Sequence, residues 1–287
     1  MSKPEEAVAV NLRPLQYNLK PELVEIRQDV LAGTRSDGSP LTVDLYLPAT
    51  RTAQKLPIAL LLHGGLPDFI PIRPTQWRMF RDWGIALAQS GAGAVMFNHS
   101  LGWPEHRVNE TMIEIEAVID WLHASAAIEQ FDVSRLRVIA YSGGGLLIPE
   151  LVRRSEAHIR GYALLYPLLG RDADESNSAE TVAKLRFKDA LPLLAERGTP
   201  LLIVRGGADE IPQLLPVLDA AIAEALRLDA RLELINLPGA PHGFDVLHAD
   251  DGIRRAIERT IEFVLVQPVR EERSETHYSQ NGVPAEE

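Results

Sequence analysis

Apolar runs of strand length alternate along this chain with stretches long enough for a helix, and that alternation restricts the fold more than any single motif. The runs fall at 56–62, 92–98, 136–141, 161–166, 200–205 and 230–237, and helical patterns follow at 75–89, 108–128, 146–154, 181–196, 214–228 and 252–266. A run such as Leu56–Leu62 is aliphatic without interruption. Such strands bury both faces, so they belong in the middle of a parallel sheet with helices on either side. The amino-terminal part differs: 23–30 and 41–47 alternate apolar and polar residues around Ser36-Asp37-Gly38-Ser39, which reads as an antiparallel hairpin. The predicted class is therefore α/β, a mostly parallel doubly wound sheet with an N-terminal antiparallel hairpin at one edge. Residues 1–22 read as an arm and 23–266 as a single domain, with 168–199 a short lid-like insertion. Residues 267–287, rich in charge and poor in apolar side chains, read as a flexible tail.

Composition narrows the function. A chain of 287 residues with 46% hydrophobic content can fill one large α/β domain. A net charge of −11 argues against nucleic acid or an anionic membrane as the main partner. There are no cysteines, which removes disulfides, thiolate metal sites and a cysteine nucleophile. Met1-Ser2-Lys3-Pro4-Glu5-Glu6 lacks the apolar stretch of a signal peptide, and no apolar run reaches membrane-spanning length, so a cytoplasmic location is expected. No H-E-x-x-H or comparable spacing calls for a metal, and the glycine clusters lack the G-x-G-x-x-G and Walker patterns, so no cofactor is expected. A homo-oligomer is compatible with all of this.

The chemistry collects where the predicted strands end, the side on which an open α/β sheet binds its ligands. Ser142 follows the run 136–141 and precedes Gly143-Gly144-Gly145. A serine on such a sharp strand-to-helix turn is exposed in front of a helix amino terminus, the geometry of a nucleophile elbow, although Ala140 stands where G-x-S-x-G has its first glycine. A serine hydroxyl needs a base, and an imidazole base needs a carboxylate on its other nitrogen. His242 follows 230–237 within Pro238-Gly239-Ala240-Pro241-His242-Gly243-Phe244. Asp209 follows 200–205 within Gly206-Gly207-Ala208-Asp209, and Asp172 and Asp174 are reserve acids beyond the preceding strand. Ser142, Asp209 and His242 stand in the order Ser, Asp, His. The oxyanion of an acyl-transfer intermediate needs preorganised N–H donors. Gly143 supplies one, and the His63-Gly64-Gly65-Leu66 loop supplies the second from Gly65 or Leu66. Tyr141 and Leu66 are the expected substrate contacts. Among the other histidines, His63 reads as structural, His99 and His106 as loop residues bordering the cleft, and His123 and His158 as surface positions.

Together, His63-Gly64-Gly65, Ala140-Tyr141-Ser142-Gly143-Gly144, Gly206-Gly207-Ala208-Asp209 and Pro241-His242-Gly243-Phe244 resemble the α/β-hydrolase superfamily, over roughly residues 23–266. The likeness is to its compact carboxylesterase and dienelactone-hydrolase-like branch. It implies the α/β-hydrolase fold with at most a small lid, a Ser142–His242–Asp209 triad, and a small soluble ester as substrate. The absence of cysteine departs from the usual dienelactone hydrolases, and Leu66 stands where hormone-sensitive-lipase-like esterases carry a third glycine. A serine peptidase or amidase of the same fold is the alternative, followed by a catalytically silent binding protein.

Overall fold

Val24–Thr34 (β1) and Pro40–Pro48 (β2) pair antiparallel across a turn in which Gly38 takes a φ of 83°. The computed structural model describes residues 15–66, 73–154, 158–172 and 174–266. The tail expected at 267–287 and the first fourteen residues of the arm lie outside the described residues. The described part of the arm is tied to the helix Arg78–Gln89 (α1): the Leu15 amide donates to Asp82 Oδ2 at 3.0 Å and Gln89 Nε2 donates to the Asn18 carbonyl at 2.8 Å.

After the hairpin the chain alternates strand and helix. Leu56–Leu62 (β3), Gly93–Met96 (β4), Phe131–Tyr141 (β5), Ile159–Leu165 (β6), Leu201–Gly206 (β7) and Leu232–Leu237 (β8) complete an eight-stranded sheet. The spatial order is β1-β2-β4-β3-β5-β6-β7-β8, antiparallel at β1/β2 and β2/β4 and parallel elsewhere. Order reverses around β3, whose neighbours are β4 on one side and β5 on the other. The crevice beyond the ends of β3 and β5 is thus the topological switch point, where α/β sheets bind ligands.

Val108–Ser125 (α2), Ile148–Arg154 (α3), Ala179–Lys184 (α4), Leu191–Glu196 (α5) and Leu214–Arg227 (α6) follow in the chain, then the single turn Phe244–Leu247 (α7) and Asp251–Leu265 (α8). The strand period of two splits the core between the sheet faces. Leu56, Ile58, Leu60 and Leu62 pack with α2, α3, α5 and α6, whereas Ala59 and Leu61 pack with α1 and α8. Full burial of one such aliphatic side chain stabilises by about 1.5–3 kcal/mol, so β3 alone is a major contributor. Asp250 caps α8 by accepting from the Gly252 and Ile253 amides.

Two elements differ from the sequence expectation. The single helix expected at 181–196 is broken into α4, a 3-10 turn at Phe187–Asp189 and α5. Pro192 has no N–H to donate and belongs in the first turn of a new helix, and Phe187 turns inward, its amide donating to the Leu169 carbonyl at 3.1 Å. The helix expected to start at 146 is entered through a 3-10 stretch, Ser142–Leu147.

Candidate active site

Ser142 leaves β5 with a φ of 52°, a left-handed backbone that a side-chain-bearing residue rarely adopts. The strain is held by what surrounds the turn. A Cβ on Gly144 would lie 2.6 Å from the Leu62 carbonyl oxygen, so only glycine lets the turn settle against the end of β3. The Leu168 amide, beyond β6, donates to the Ser142 carbonyl at 2.9 Å.

The acid and base arrive from the carboxyl ends of β7 and β8. Ser142 Oγ lies 2.8 Å from His242 Nε2, and His242 Nδ1 lies 2.6 Å from Asp209 Oδ2. A carboxylate only accepts, so the proton is on Nδ1 and donates to Asp209, which leaves Nε2 free to take the serine proton. The Asp209 side chain is 0% exposed, and its other oxygen accepts the Ile211 amide at 3.0 Å. The His242 side chain is 26% exposed, open enough to meet a substrate.

Gly206-Gly207 explains how two separate loops reach hydrogen-bond distance. A Cβ on Gly207 would sit 2.6 Å from the Pro238 carbonyl oxygen, so the glycine allows the histidine loop to lie directly on the acid loop. The Gly207 amide then donates to the Leu237 carbonyl at 2.8 Å and the Ala208 amide to the Ala240 carbonyl at 3.0 Å. Acid and base are registered through backbone, not through side chains alone.

Across the cleft, the Gly64-Gly65 segment faces the nucleophile turn. A Cβ on Gly143 would stand 3.1 Å from the Gly65 nitrogen and one on Gly64 3.3 Å from the Gly143 nitrogen, so the two backbones approach closely next to Ser142. Gly65 is packed so closely on Gly102 that a Cβ there would overlap the Gly102 carbonyl oxygen. His63 braces this loop. Its Nε2 accepts from the His99 amide at 3.2 Å, so Nδ1 carries the proton and donates to the Gly64 carbonyl at 2.6 Å. Burial lowers the His63 pKa from 6.5 to about 4, and His99, stacked on it at 3.5 Å between ring centroids, is pushed well down by burial too. Both rings stay neutral near pH 7, and His63 has the structural place its sequence position suggests.

The remaining expectations divide. Tyr141 is a correction: its side chain is only 1% exposed and its ring packs against Phe80 and Trp83, so it lies in the core beneath the site and does not contact substrate. It shares the face of β5 that carries Ile139 and meets α1 and α8. Leu66 is half-buried at the end of the oxyanion loop. Asp174 pairs with Arg171, and Asp172 lines a separate cavity of about 310 Å³ that contains no triad residue. Neither reserve acid reaches His242. His106 is a buried loop residue, with Nδ1 3.1 Å from the Gly102 carbonyl and Nε2 3.0 Å from Arg171 Nη1. His123 and His158 are exposed and lie edge to face, and His277 is outside the described residues.

The sequence reading passed over two residues beside the site. Tyr166, just past β6, lays its ring edge to face on His242 at 4.8 Å, and Asp245 accepts from the Tyr166 hydroxyl at 2.9 Å. The signal available for Asp245 was its position three residues after His242, in the same loop motif. Among the described residues no group of three or more His, Asp or Glu side chains is placed to hold a metal ion, and no helix is long and apolar enough to cross a membrane.

Comparison with known proteins agrees with this fold. A family model described as alpha/beta hydrolase fold matches residues 60–196, which include the His63-Gly64-Gly65 loop and the turn at Ser142. The structure of esterase Est22 is similar at a TM-score of 0.63 and 18% identity, covering 92% of this chain and 87% of that one. A fungal esterase from Rhizomucor miehei is similar at a TM-score of 0.62 and 20% identity, over 92% of this chain and 88% of that one. A putative dipeptidyl aminopeptidase IV from Bacteroides ovatus is similar at a TM-score of 0.64 and 18% identity, but 85% of this chain covers only 36% of that larger one.

Proposed function

We propose that this chain, which has the α/β-hydrolase fold, is a serine hydrolase that cleaves carboxylic esters through an acyl-enzyme on Ser142. The observation that carries this reading is the continuous relay from Ser142 Oγ to His242 Nε2 at 2.8 Å and from His242 Nδ1 to Asp209 Oδ2 at 2.6 Å. The esterases among the similar structures support the ester as substrate class.

In the proposed cycle His242 takes the Ser142 proton as the oxygen attacks the ester carbonyl. The oxyanion forms between the Gly143 and Gly65 N–H groups, two backbone segments that approach closely beside Ser142. Asp209 stabilises the imidazolium while staying ionised. His242 then protonates the departing alcohol, and the same nitrogen activates the water that hydrolyses the acyl-enzyme. No cofactor takes part in these steps, and a small soluble ester is the expected partner.

The test is hydrolysis of p-nitrophenyl esters from acetate to palmitate by the native protein and by Ser142→Ala, with the matching anilides alongside. We expect turnover to be highest for short acyl chains and to fall by about 10⁴-fold or more in Ser142→Ala. Equal rates in the two proteins remove Ser142 as nucleophile. Faster cleavage of anilides than of esters converts the reading to an amidase.

A further inference from the structure

Asp245 is buried at the bottom of the histidine loop, 0% exposed, and its carboxylate accepts from Trp83 Nε1 at 2.8 Å and from the Tyr166 hydroxyl at 2.9 Å. Both partners are neutral donors. Among the described residues no Lys or Arg pairs with it; burial raises its pKa, while the Trp83 and Tyr166 donors and the nearby His242 favour the ionised form. Burying such a carboxylate is costly unless something repays it. The groups packed around it are Trp83 from α1, Tyr141 from the end of β5, Tyr166 from the end of β6, and His242 and Phe244 from its own loop. His242 is the one of these that becomes positively charged during acyl transfer.

Tyr166 connects the two. Its hydroxyl holds Asp245 and its ring lies 4.8 Å from the His242 ring at 67°. The Phe244 ring also meets the Tyr166 ring edge to face, at 5.1 Å and 86°. The backbone of Tyr166 has a φ of 39°, a strained conformation for a bulky aromatic residue and of the kind that concentrates at functional sites. The imidazole is thereby flanked by two carboxylates in different roles: Asp209 holds its Nδ1 proton, and Asp245 stands behind the ring it rests on.

We propose that Asp245, acting through Tyr166, is a positioning residue that fixes the His242 ring for proton transfer and stabilises its imidazolium form. This rests on the triad reading above. It differs from a packing role in one respect: Asn at 245 keeps the shape and an acceptor oxygen but loses the charge.

The experiment measures kcat and KM for p-nitrophenyl acetate in wild type, Asp245→Asn, Tyr166→Phe and the double variant, with rates normalised to sites titrated by a fluorophosphonate. We expect Asp245→Asn to lower kcat by about tenfold or more at an unchanged KM, Tyr166→Phe to lower it less, and the double variant to be no slower than Asp245→Asn alone. Wild-type kcat per titrated site in Asp245→Asn overturns the proposal, as does a loss confined to KM. Should Asp245→Asn fail to fold, Tyr166→Phe, which keeps the ring in place, decides: wild-type kcat there overturns it and a reduced kcat at constant KM supports it. Ser142→Ala run in parallel separates the two readings. Its inactivity beside a fully active Asp245→Asn removes only the role of Asp245, and its full activity removes the triad and this role together.

Discussion

The two sides of the cleft are built from the same parts and do opposite things. Each has a glycine pair at a strand end and a histidine: His63-Gly64-Gly65 after β3, and Gly206-Gly207 after β7 facing His242 after β8. On the oxyanion side the histidine is sealed in, stacked on another histidine and denied any carboxylate, so burial keeps it neutral. On the acid side it is partly open and meets a buried carboxylate at 2.6 Å. The residue type does not decide between a prop and the proposed base. The dielectric and the partner on Nδ1 decide: a backbone carbonyl for His63, Asp209 for His242.

The contrast can be broken at four points. The largest effect is expected at Asp209→Asn, which keeps the shape of the acid side but removes the charge and allows the wrong imidazole tautomer; kcat should fall about 10⁴-fold with little change in melting temperature. Calorimetry and ester turnover on the same preparation check this, and a loss below tenfold sinks Asp209 as the acid. Next is Gly65→Ala, whose methyl must displace the Gly102 backbone and with it one oxyanion donor. The expected loss is about 10²–10³-fold in kcat with KM nearly constant. Gly207→Ala should cost less, about tenfold to a hundredfold, because its methyl, 2.6 Å from the Pro238 carbonyl oxygen, pushes the histidine loop off the acid loop without removing a group. Turnover as good as wild type in that variant would show that the backbone register between the loops is not what aligns the relay.

The smallest effect concerns His63 and is read in stability. Its native pKa of about 4 lies below the ordinary 6.5, so the unfolded chain takes up a proton before the folded one does. Stability from this group is therefore intact above pH 6.5 and is lost as pH falls towards 4, by up to about 3 kcal/mol. The buried carboxylates Asp44 and Asp82, whose pKa values burial raises, slope the other way, since the folded chain binds their protons first. The difference between wild type and His63→Gln in urea midpoints from pH 7 to pH 4 cancels those carboxylates. The gap should narrow or reverse on acidification, and a constant gap would mean that His63 is not held neutral.

Much of this is legible in the sequence alone, because the signals are local and redundant. The parallel strands announced themselves as aliphatic runs, and β3 has the predicted limits, 56–62. The three proposed triad residues each follow a strand end; the glycines beside Ser142 and Asp209 mark close backbone approaches, whereas Gly243 beside His242 takes a positive φ of 65°. Other signals were present but outvoted. Pro192 disfavours a continuous helix at 181–196, and the burial of both faces of β5 leaves Tyr141, on the Ile139 side, no open face to project into. What the sequence does not carry is the meeting of distant groups. Nothing local says that Trp83, Tyr166 and Asp245 converge, since the pairs are separated by 162 and 79 residues and joined only by the stacking of α1 and α7 on one sheet face. Nor does it reveal that His99 will stack on His63.

The backbone hydrogen bonds that fasten the acid loop to the histidine loop have a consequence for how this molecule should fail when heated. Because Gly207 and Ala208 are tied to Leu237 and Ala240 by main chain, and Gly144 rests on the carbonyl end of the central strand β3, the relay has no hinge of its own that can loosen while the sheet survives. Loss of turnover on warming should then coincide with loss of near-ultraviolet circular dichroism in a single transition, which makes catalysis a reporter of the whole fold.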